Sequence, residues 1–258
     1  MCLLVLAWKA HPRYDLVVAA NRDEYHDRPS APLGRWPLPA AILAGRDLRA
    51  GGTWLGIDRR RRFGIVTNFR DLMGAPPQAP SRGDLIPRYL GGVASPGEYL
   101  AALQPGAAAY GGFNLLLADG ESLWYASNRS TPFARALSPG IHGLSNERLD
   151  TPWPKLLRVR RGFETWLRAG GSVDDGELFA MLADRTQASE GLPSTGVSPE
   201  WERTLSSPFV LNPSYGTRCS TLVAIEPSSA CYVAERRFDP AGACSGETQY
   251  RLAPGDWP

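Results

Sequence analysis

A chain of 258 residues, 43% hydrophobic and 21% charged, holds enough apolar material for a core without disulfide or metal staples, which excludes disorder along its whole length. A formal net charge of +2, with one basic run at Arg59–Arg62 and no interleaved aromatics, argues against a nucleic-acid footprint. Cys2, Cys219, Cys231 and Cys244 show neither CxxC nor Cys/His spacing, and His11, His26 and His142 stand apart, so no metal centre is expected.

The first elements are a buried hairpin. Residues 2–8 form an apolar run, Cys-Leu-Leu-Val-Leu-Ala-Trp, and residues 16–20 a second one after a polar turn. The first run is too short for a signal peptide or membrane span and is followed at once by Lys9, His11 and Arg13, which predicts a cytoplasmic protein with no transmembrane segment. In a reducing compartment Cys2 stays a free thiol. Asn21-Arg22-Asp23-Glu24 then places four polar residues where a core strand emerges.

Residues 53–58 and 63–69 read as the next strand pair, joined by the arginine run as a solvated turn, with Asn68 closing the second strand. After a Pro-rich loop at 74–80, Ser95-Pro96-Gly97-Glu98 carries a capping box with proline at the first helical position. Residues 113–118 and 122–127 flank Asp119-Gly120, a hairpin signal, and a further strand is expected across 142–145. Thr151-Pro152 predicts the start of the longest helix, with Trp153, Leu156, Leu157, Phe163, Trp166 and Leu167 on its apolar face. Ser172, Asp174 and Asp175 predict the start of another helix through Leu178, Phe179 and Leu182. Residues 186–216 form a long excursion with little periodicity, a length that suits a loop shaping a pocket. A last hairpin is expected over 219–225 and 230–235. Strands in two batches with helices between them favour stacked antiparallel sheets with outer helices over a doubly wound parallel sheet. No repeat or linker divides the chain, so residues 1–258 are expected to form a single domain.

A cysteine directly after the initiator methionine has a chemical option that interior cysteines lack. Its small side chain permits removal of Met1, after which thiol and α-amine belong to one residue. The amine, with an unperturbed pKa of ~7.7–8.0 against ~8.5 for the thiol, can then accept the thiol proton. Attack on an amide or thioester carbonyl creates an oxyanion, and the strand-end amides of Asn68 and Asn146 are candidate donors to it. Arg22 suits a ligand carboxylate or phosphate, or the surroundings of the amine. An N-terminal cysteine packed as a small hydrophobe is the competing reading.

Asn21-Arg22-Asp23-Glu24 after a Met1-Cys2 strand resembles the NRDE family, which includes proteins similar to transport and Golgi organisation protein 2 (TANGO2-like). The resemblance extends through Gly51-Gly52-Thr53-Trp54-Leu55-Gly56, Thr67-Asn68-Phe69-Arg70, Gly112-Phe113-Asn114-Leu115, Gly143-Leu144-Ser145-Asn146, Leu149-Asp150-Thr151-Pro152-Trp153-Pro154-Lys155 and Tyr215-Gly216-Thr217-Arg218. The family is similar in turn to the cysteine branch of the N-terminal-nucleophile (Ntn) hydrolases. That similarity implies an α+β fold, a four-layer alpha-beta-beta-alpha sandwich, and a hydrolase or acyltransferase acting on a small amide or thioester. Carried onto this chain, it implies Cys2 as nucleophile, Arg22 and Asp23 as the pair orienting it, and Asn68 and Asn146 as oxyanion donors. Glu24 competes with Asp23 for the orienting role, and Asn21, Glu24 and Arg218 are implied ligand contacts. These side chains are expected to converge near Cys2, with residues 186–216 on one rim. The hydrolase reading needs no cofactor and takes a small acyl substrate. The family also implies an alternative, a non-catalytic haem or acyl-CoA binding protein with a role in haem trafficking, and the sequence sets no oligomeric state.

Overall fold

The computed structural model describes residues 2–37, 41–71, 74–174 and 176–256, with Cys2 described by its backbone alone. These residues cluster into two units. The first takes in the N-terminal segment through Asp27, Pro139–Ser145 and Leu149–Arg251, and the second Arg28–Ser138, Asn146–Arg148 and the segment from Leu252.

The first unit is built on a six-stranded sheet. Its strands are β1 (Cys2–Trp8), β2 (Leu16–Tyr25), β10 (Gly140–Leu144), β11 (Tyr215–Ile225), β12 (Cys231–Phe238) and β13 (Cys244–Leu252), in the spatial order β10-β1-β2-β11-β12-β13. β10, β1, β2, β11 and β12 pair antiparallel in succession. Along β1 and β2 the alternation of a pleated strand sends Leu3, Val5, Ala7, Val17 and Ala19 into a core shared with helices α3 (Pro154–Arg168) and α4 (Glu177–Leu182). Leu4, Leu6, Leu16 and Val18, on the other face, are buried as well. Burial on both faces is why these strands read as unbroken apolar runs. α3 contributes Leu156, Val159, Phe163 and Trp166 to the core, the spacing of one helical face. It comes so close to the sheet that a side chain at Gly143 would meet Leu156. α3 begins at Pro154, two residues later than its sequence signal, with Trp153 in the capping position. Asp175, part of the start signal for α4, lies outside the described residues.

The second unit is a seven-stranded meander, in which strands adjacent in sequence are adjacent in space: β3 (Ser30–Arg35), β4 (Ile42–Asp47), β5 (Leu55–Asp58), β6 (Phe63–Asn68), β7 (Phe113–Ala118), β8 (Leu123–Ser127) and β9 (Ala134–Ala136). Helices α1 (Leu85–Gly91) and α2 (Pro96–Leu103) cover it through Leu85, Ile86, Leu90 and Leu100. Both halves of the capping box form at Ser95 and Glu98. Asp119 closes the β7–β8 hairpin by accepting from the N–H groups of Glu121 and Ser122. Gly52 lies against the backbone of Gly83, where a Cβ would come within 2.4 Å of a carbonyl carbon, so this position of the Gly-Gly-Thr-Trp motif admits no side chain.

The arginine run is a turn, as expected, with Arg59 and Arg60 exposed, but it is not solvated throughout. Arg62 is buried, its guanidinium held by Asp58 at 2.9 Å, and it donates to the carbonyls of Leu90 and Gly92. Arg60 donates to the same two carbonyls at 2.9 and 2.8 Å. Two of the four arginines thus close the C-terminal end of α1, where helix carbonyls lack internal partners and favour cations. The excursion at 186–216 also has structure of its own: it carries α5 (Pro199–Thr204), capped by Ser198, and its last two residues already belong to β11.

Among the described residues no helix is long and apolar enough to cross a membrane.

Candidate functional site

In the first unit, the backbone of Cys2 pairs directly with Arg22, and Arg22 pairs in turn with Cys219, so the N-terminal end of β1 lies beside the Asn21–Glu24 segment. Met1 and the Cys2 side chain lie outside the described residues. Strand alternation places Asn21 and Asp23 on the helix-covered face of β2, and Arg22 and Glu24 on the other.

Asp23 is 1% exposed. The hydroxyl of Thr217, its register partner on β11, donates to its Oδ1 at 2.7 Å, and the Tyr215 hydroxyl donates to its carbonyl at 3.0 Å. Burial pushes the Asp23 carboxyl above its ordinary range, against the opposing charge of Lys155 and the Thr217 bond. Thr217 is itself fixed by the Val210 N–H, which donates to its Oγ1 at 2.9 Å. The Tyr-Gly-Thr-Arg motif therefore holds the acidic residue of the Asn-Arg-Asp-Glu motif, and Lys155, last in the Trp-Pro-Lys motif, supplies the countercharge.

Arg22, 6% exposed, lies 3.9 Å from Glu24 Oε2. Glu24 Oε1 accepts from the Tyr25 N–H. Arg218 occupies a β-bulge between Thr217 and Cys219, a distortion that re-aims a side chain, and its Nη1 donates to the carbonyls of Tyr25 and His26. Burial and the neighbouring charge of Arg22 lower its pKa. Asn21 is bonded inside the protein. Its amide donates to the carbonyls of Leu182 and Pro208 at 2.8 and 3.0 Å, and its oxygen accepts from Ser220 at 2.6 Å. With those groups engaged inside the protein, it fastens the end of α4 and the excursion to β2.

The asparagines of the second unit form their own cluster. Asn68 closes β6 as expected, and the Asn146 amide, 1% exposed, donates to the Asn68 carbonyl at 2.8 Å. The Arg70 N–H returns a bond to the Asn146 carbonyl at 2.7 Å. Asn68 is half-buried, and no hydrogen bond is made by its amide among the described residues. Asn114, which sequence reasoning missed as a site residue, is fully buried and donates to Thr67 Oγ1 and the Glu147 carbonyl, while Tyr125 donates to its oxygen. It ties the end of β6 to the Asn146 segment. Lys155 was missed as well. The signal for both was motif membership, within Gly-Phe-Asn-Leu and Trp-Pro-Lys.

At the edge strand β10, Asp150 adopts a left-handed backbone conformation (φ 62°). It accepts from the Gly143 N–H at 2.8 Å and from Arg160 at 3.3 Å, and meets His142 Nδ1 at 3.3 Å. Burial alone would raise its carboxyl, but the bonds from His142 and Gly143 with the nearby Arg160 charge hold it below the ordinary range. A carboxylate lowered in the folded state stabilises above its unfolded pKa of ~3.9, and that contribution disappears as pH falls through the lower folded value. Asp150→Asn is therefore expected to destabilise the protein by about 1 kcal/mol at pH 7, a modest figure because the side chain is a third exposed. Denaturation midpoints of variant and parent should draw together as the pH falls below ~3.9; a gap constant with pH would contradict the assignment.

Among the described residues no group of three His, Cys, Asp or Glu could hold a metal ion. The histidines are dispersed: His11 stacks on Trp166, His26 meets the Asn212 carbonyl, and His142 meets Asp150.

Comparison with known proteins places these motifs in a wider set. The Transport and Golgi organization 2 homolog of Mus musculus is 31% identical over 258 residues, covering 92% of each chain. The Homo sapiens homolog is 32% identical over 256 residues, again covering 92% of each, and the Drosophila melanogaster protein 23% identical over 268 residues, covering 94% of this chain and 95% of its own. Among solved structures, the C2A mutant of a conjugated bile acid hydrolase from Clostridium perfringens superposes with a TM-score of 0.51 at 7% identity, covering 98% of both chains. That likeness concerns the fold alone. The model of the family described as Transport and Golgi organisation 2 matches residues 1–240, and the chain belongs to that family.

Proposed function

We propose that the chain is a cysteine N-terminal-nucleophile acyl hydrolase or acyltransferase, acting on a small amide or thioester, folded as one four-layer alpha-beta-beta-alpha domain of the Ntn type and residing in the cytoplasm. The observation that carries the reading is the register of β1 on β2: Cys2 pairs directly with the buried Arg22, next to an Asp23 held by Thr217 under the charge of Lys155. The fold likeness to a hydrolase whose own substituted residue is a cysteine supports it at the level of architecture.

In this mechanism, removal of Met1 frees the α-amine of Cys2. The amine takes the thiol proton, and the thiolate attacks the carbonyl carbon of the substrate. The amides of Asn68 and Asn146 donate to the oxyanion; the Asn68 amide makes no hydrogen bond among the described residues and has its full donor capacity to give, whereas that of Asn146 also donates to the Asn68 carbonyl. Collapse breaks the C–N or C–S bond, and the ammonium returns its proton to the departing amine or thiol. Water, or an acceptor nucleophile, then attacks the acyl-Cys2 thioester, giving up its proton to the amine; the C–S bond to Cys2 breaks, the acid or acylated acceptor leaves, and the ammonium returns the proton to the Cys2 thiolate. Asp23 and Arg22 orient the amine and thiol.

Two observations on purified protein test the reading before any substrate is known. Intact mass should correspond to a chain lacking Met1, and Cys2 should react with iodoacetamide well below the ordinary thiol range of ~8.5. A retained Met1 removes the amine base and ends the mechanism. Ordinary thiol titration makes Cys2 a structural residue.

A further inference from the structure

A pocket of about 590 Å³ opens within the first unit between the outer flank of α3 and the start of the 186–216 excursion. Its size falls in the range of small-molecule sites. On the helix side it is lined by Leu157 and Arg158, with Arg161 one turn further on, all off the face that packs on the sheet, and by Pro152 and Pro154. Ala188 and Gly191 lie on the facing wall.

That wall is stitched in place. The Ala188 N–H donates to Ser206 Oγ at 2.8 Å, Ser206 donates to the Arg203 carbonyl at 2.6 Å, and Thr195 bonds through its N–H and hydroxyl to the buried Glu202 of α5. A preformed wall lowers the ordering entropy a ligand must overcome. The lining is chemically two-sided. Leu157 is 40% exposed, among the few large aliphatic side chains so open to solvent, and prolines and alanine extend its apolar surface. The ionisable lining residues are both arginines. Arg158 reaches Asp184 at 3.2 Å, whereas the Arg161 guanidinium makes no hydrogen bond or ion pair among the described residues.

We propose that this pocket binds a small anionic amphiphile, its acid group on Arg161 and Arg158 and its aliphatic body against Leu157, Pro152 and Pro154. Among the described residues the polar lining is completed by Thr186 and Ser206. The site is independent of Cys2 and stands or falls apart from the acyl-transfer reading. It also gives the excursion a purpose in binding.

The test is calorimetric titration of the full chain with octanoate, octanamide and inorganic phosphate. Octanoate should bind saturably at one equivalent, and both octanamide and phosphate at least about tenfold more weakly, the effect of losing a charge-assisted contact or the apolar body. Arg161→Glu and Leu157→Asp should each weaken octanoate by about tenfold or more, with circular dichroism unchanged because both positions are solvent-facing. Cys2→Ala should leave octanoate binding at full strength. The proposal is overturned if octanoate does not bind saturably, if octanamide or phosphate matches it, or if both pocket variants bind as the parent does.

Discussion

Cys2→Ala is expected to abolish turnover of every amide or thioester the protein accepts while leaving its fold intact. The substitution removes the nucleophile and keeps the α-amine, so any residual rate measures what the rest of the site achieves on its own. Position 2 opens β1 at its first pair with β2, and its loss leaves the core from Leu3 onward untouched. Asn68→Ala should lower the catalytic rate by ~10²-fold while moving substrate binding much less, the signature of a donor aimed at charge that exists only in the transition state. Asn146→Ala has a second consequence, because its amide also braces the Asn68 carbonyl. It should lower stability as well as rate. Equal turnover by the Cys2→Ala variant and its parent would remove Cys2 from the chemistry. Silence from both across a broad acyl panel would favour reversible carriage of haem or acyl-CoA over catalysis.

Lys155→Met should destabilise the protein by roughly 1–3 kcal/mol at neutral pH, the cost of removing the cation that most opposes burial of the Asp23 charge. Lys155 is 2% exposed on α3, and its charge opposes the burial that raises the Asp23 carboxyl. A carboxyl raised in the folded state favours folding below its unfolded pKa, and that contribution is lost as pH rises through the folded value. Removing Lys155 raises Asp23 further, so the penalty should be largest at neutral pH and shrink toward pH 4. Asp23→Asn keeps an oxygen for the Thr217 hydroxyl to donate to while removing the charge. The double variant Lys155→Met/Asp23→Asn should therefore recover most of the lost stability, a coupling that denaturation of the four proteins measures directly. A penalty independent of pH, or no recovery in the double variant, would mean that Lys155 acts through packing alone.

How much of this could be read from sequence depended on how local the cause was. The β1–β2 hairpin, the β7–β8 turn at Asp119 and the capping box at Ser95 are set by residues within a few positions of each other, and all three stand where local chemistry puts them. β3 and β4 escaped notice because Pro32 and Gly34 interrupt the first and Gly45, Arg46 and Asp47 the end of the second; pairing across a bulge, not apolar alternation, defines them. β13 escaped for a related reason: from Cys244 to Arg251 every residue is exposed or half-exposed. Within the site, Arg22 opposite Cys2 follows from hairpin register and was legible. Lys155 was not, since a lysine in an amphipathic helix reads as solvent-facing until the sheet beneath it is known to carry Asp23. The packing roles of Arg62 and Asn21 were hidden for the same reason. Their partners, the end of α1 for one and Leu182 and Pro208 for the other, lie tens to hundreds of residues away in the chain.

The central claim, that Cys2 carries an acyl group as the first residue of the mature chain, is tested most directly by trapping that adduct. The protein is incubated with small amide and thioester donors, quenched in acid, and read by intact mass and peptide mapping. The account predicts one species equal to the chain without Met1 plus a single acyl group, located on Cys2 and absent from the Cys2→Ala variant. A chain that retains Met1, or acylation that persists at the same level in the Cys2→Ala variant, would contradict it.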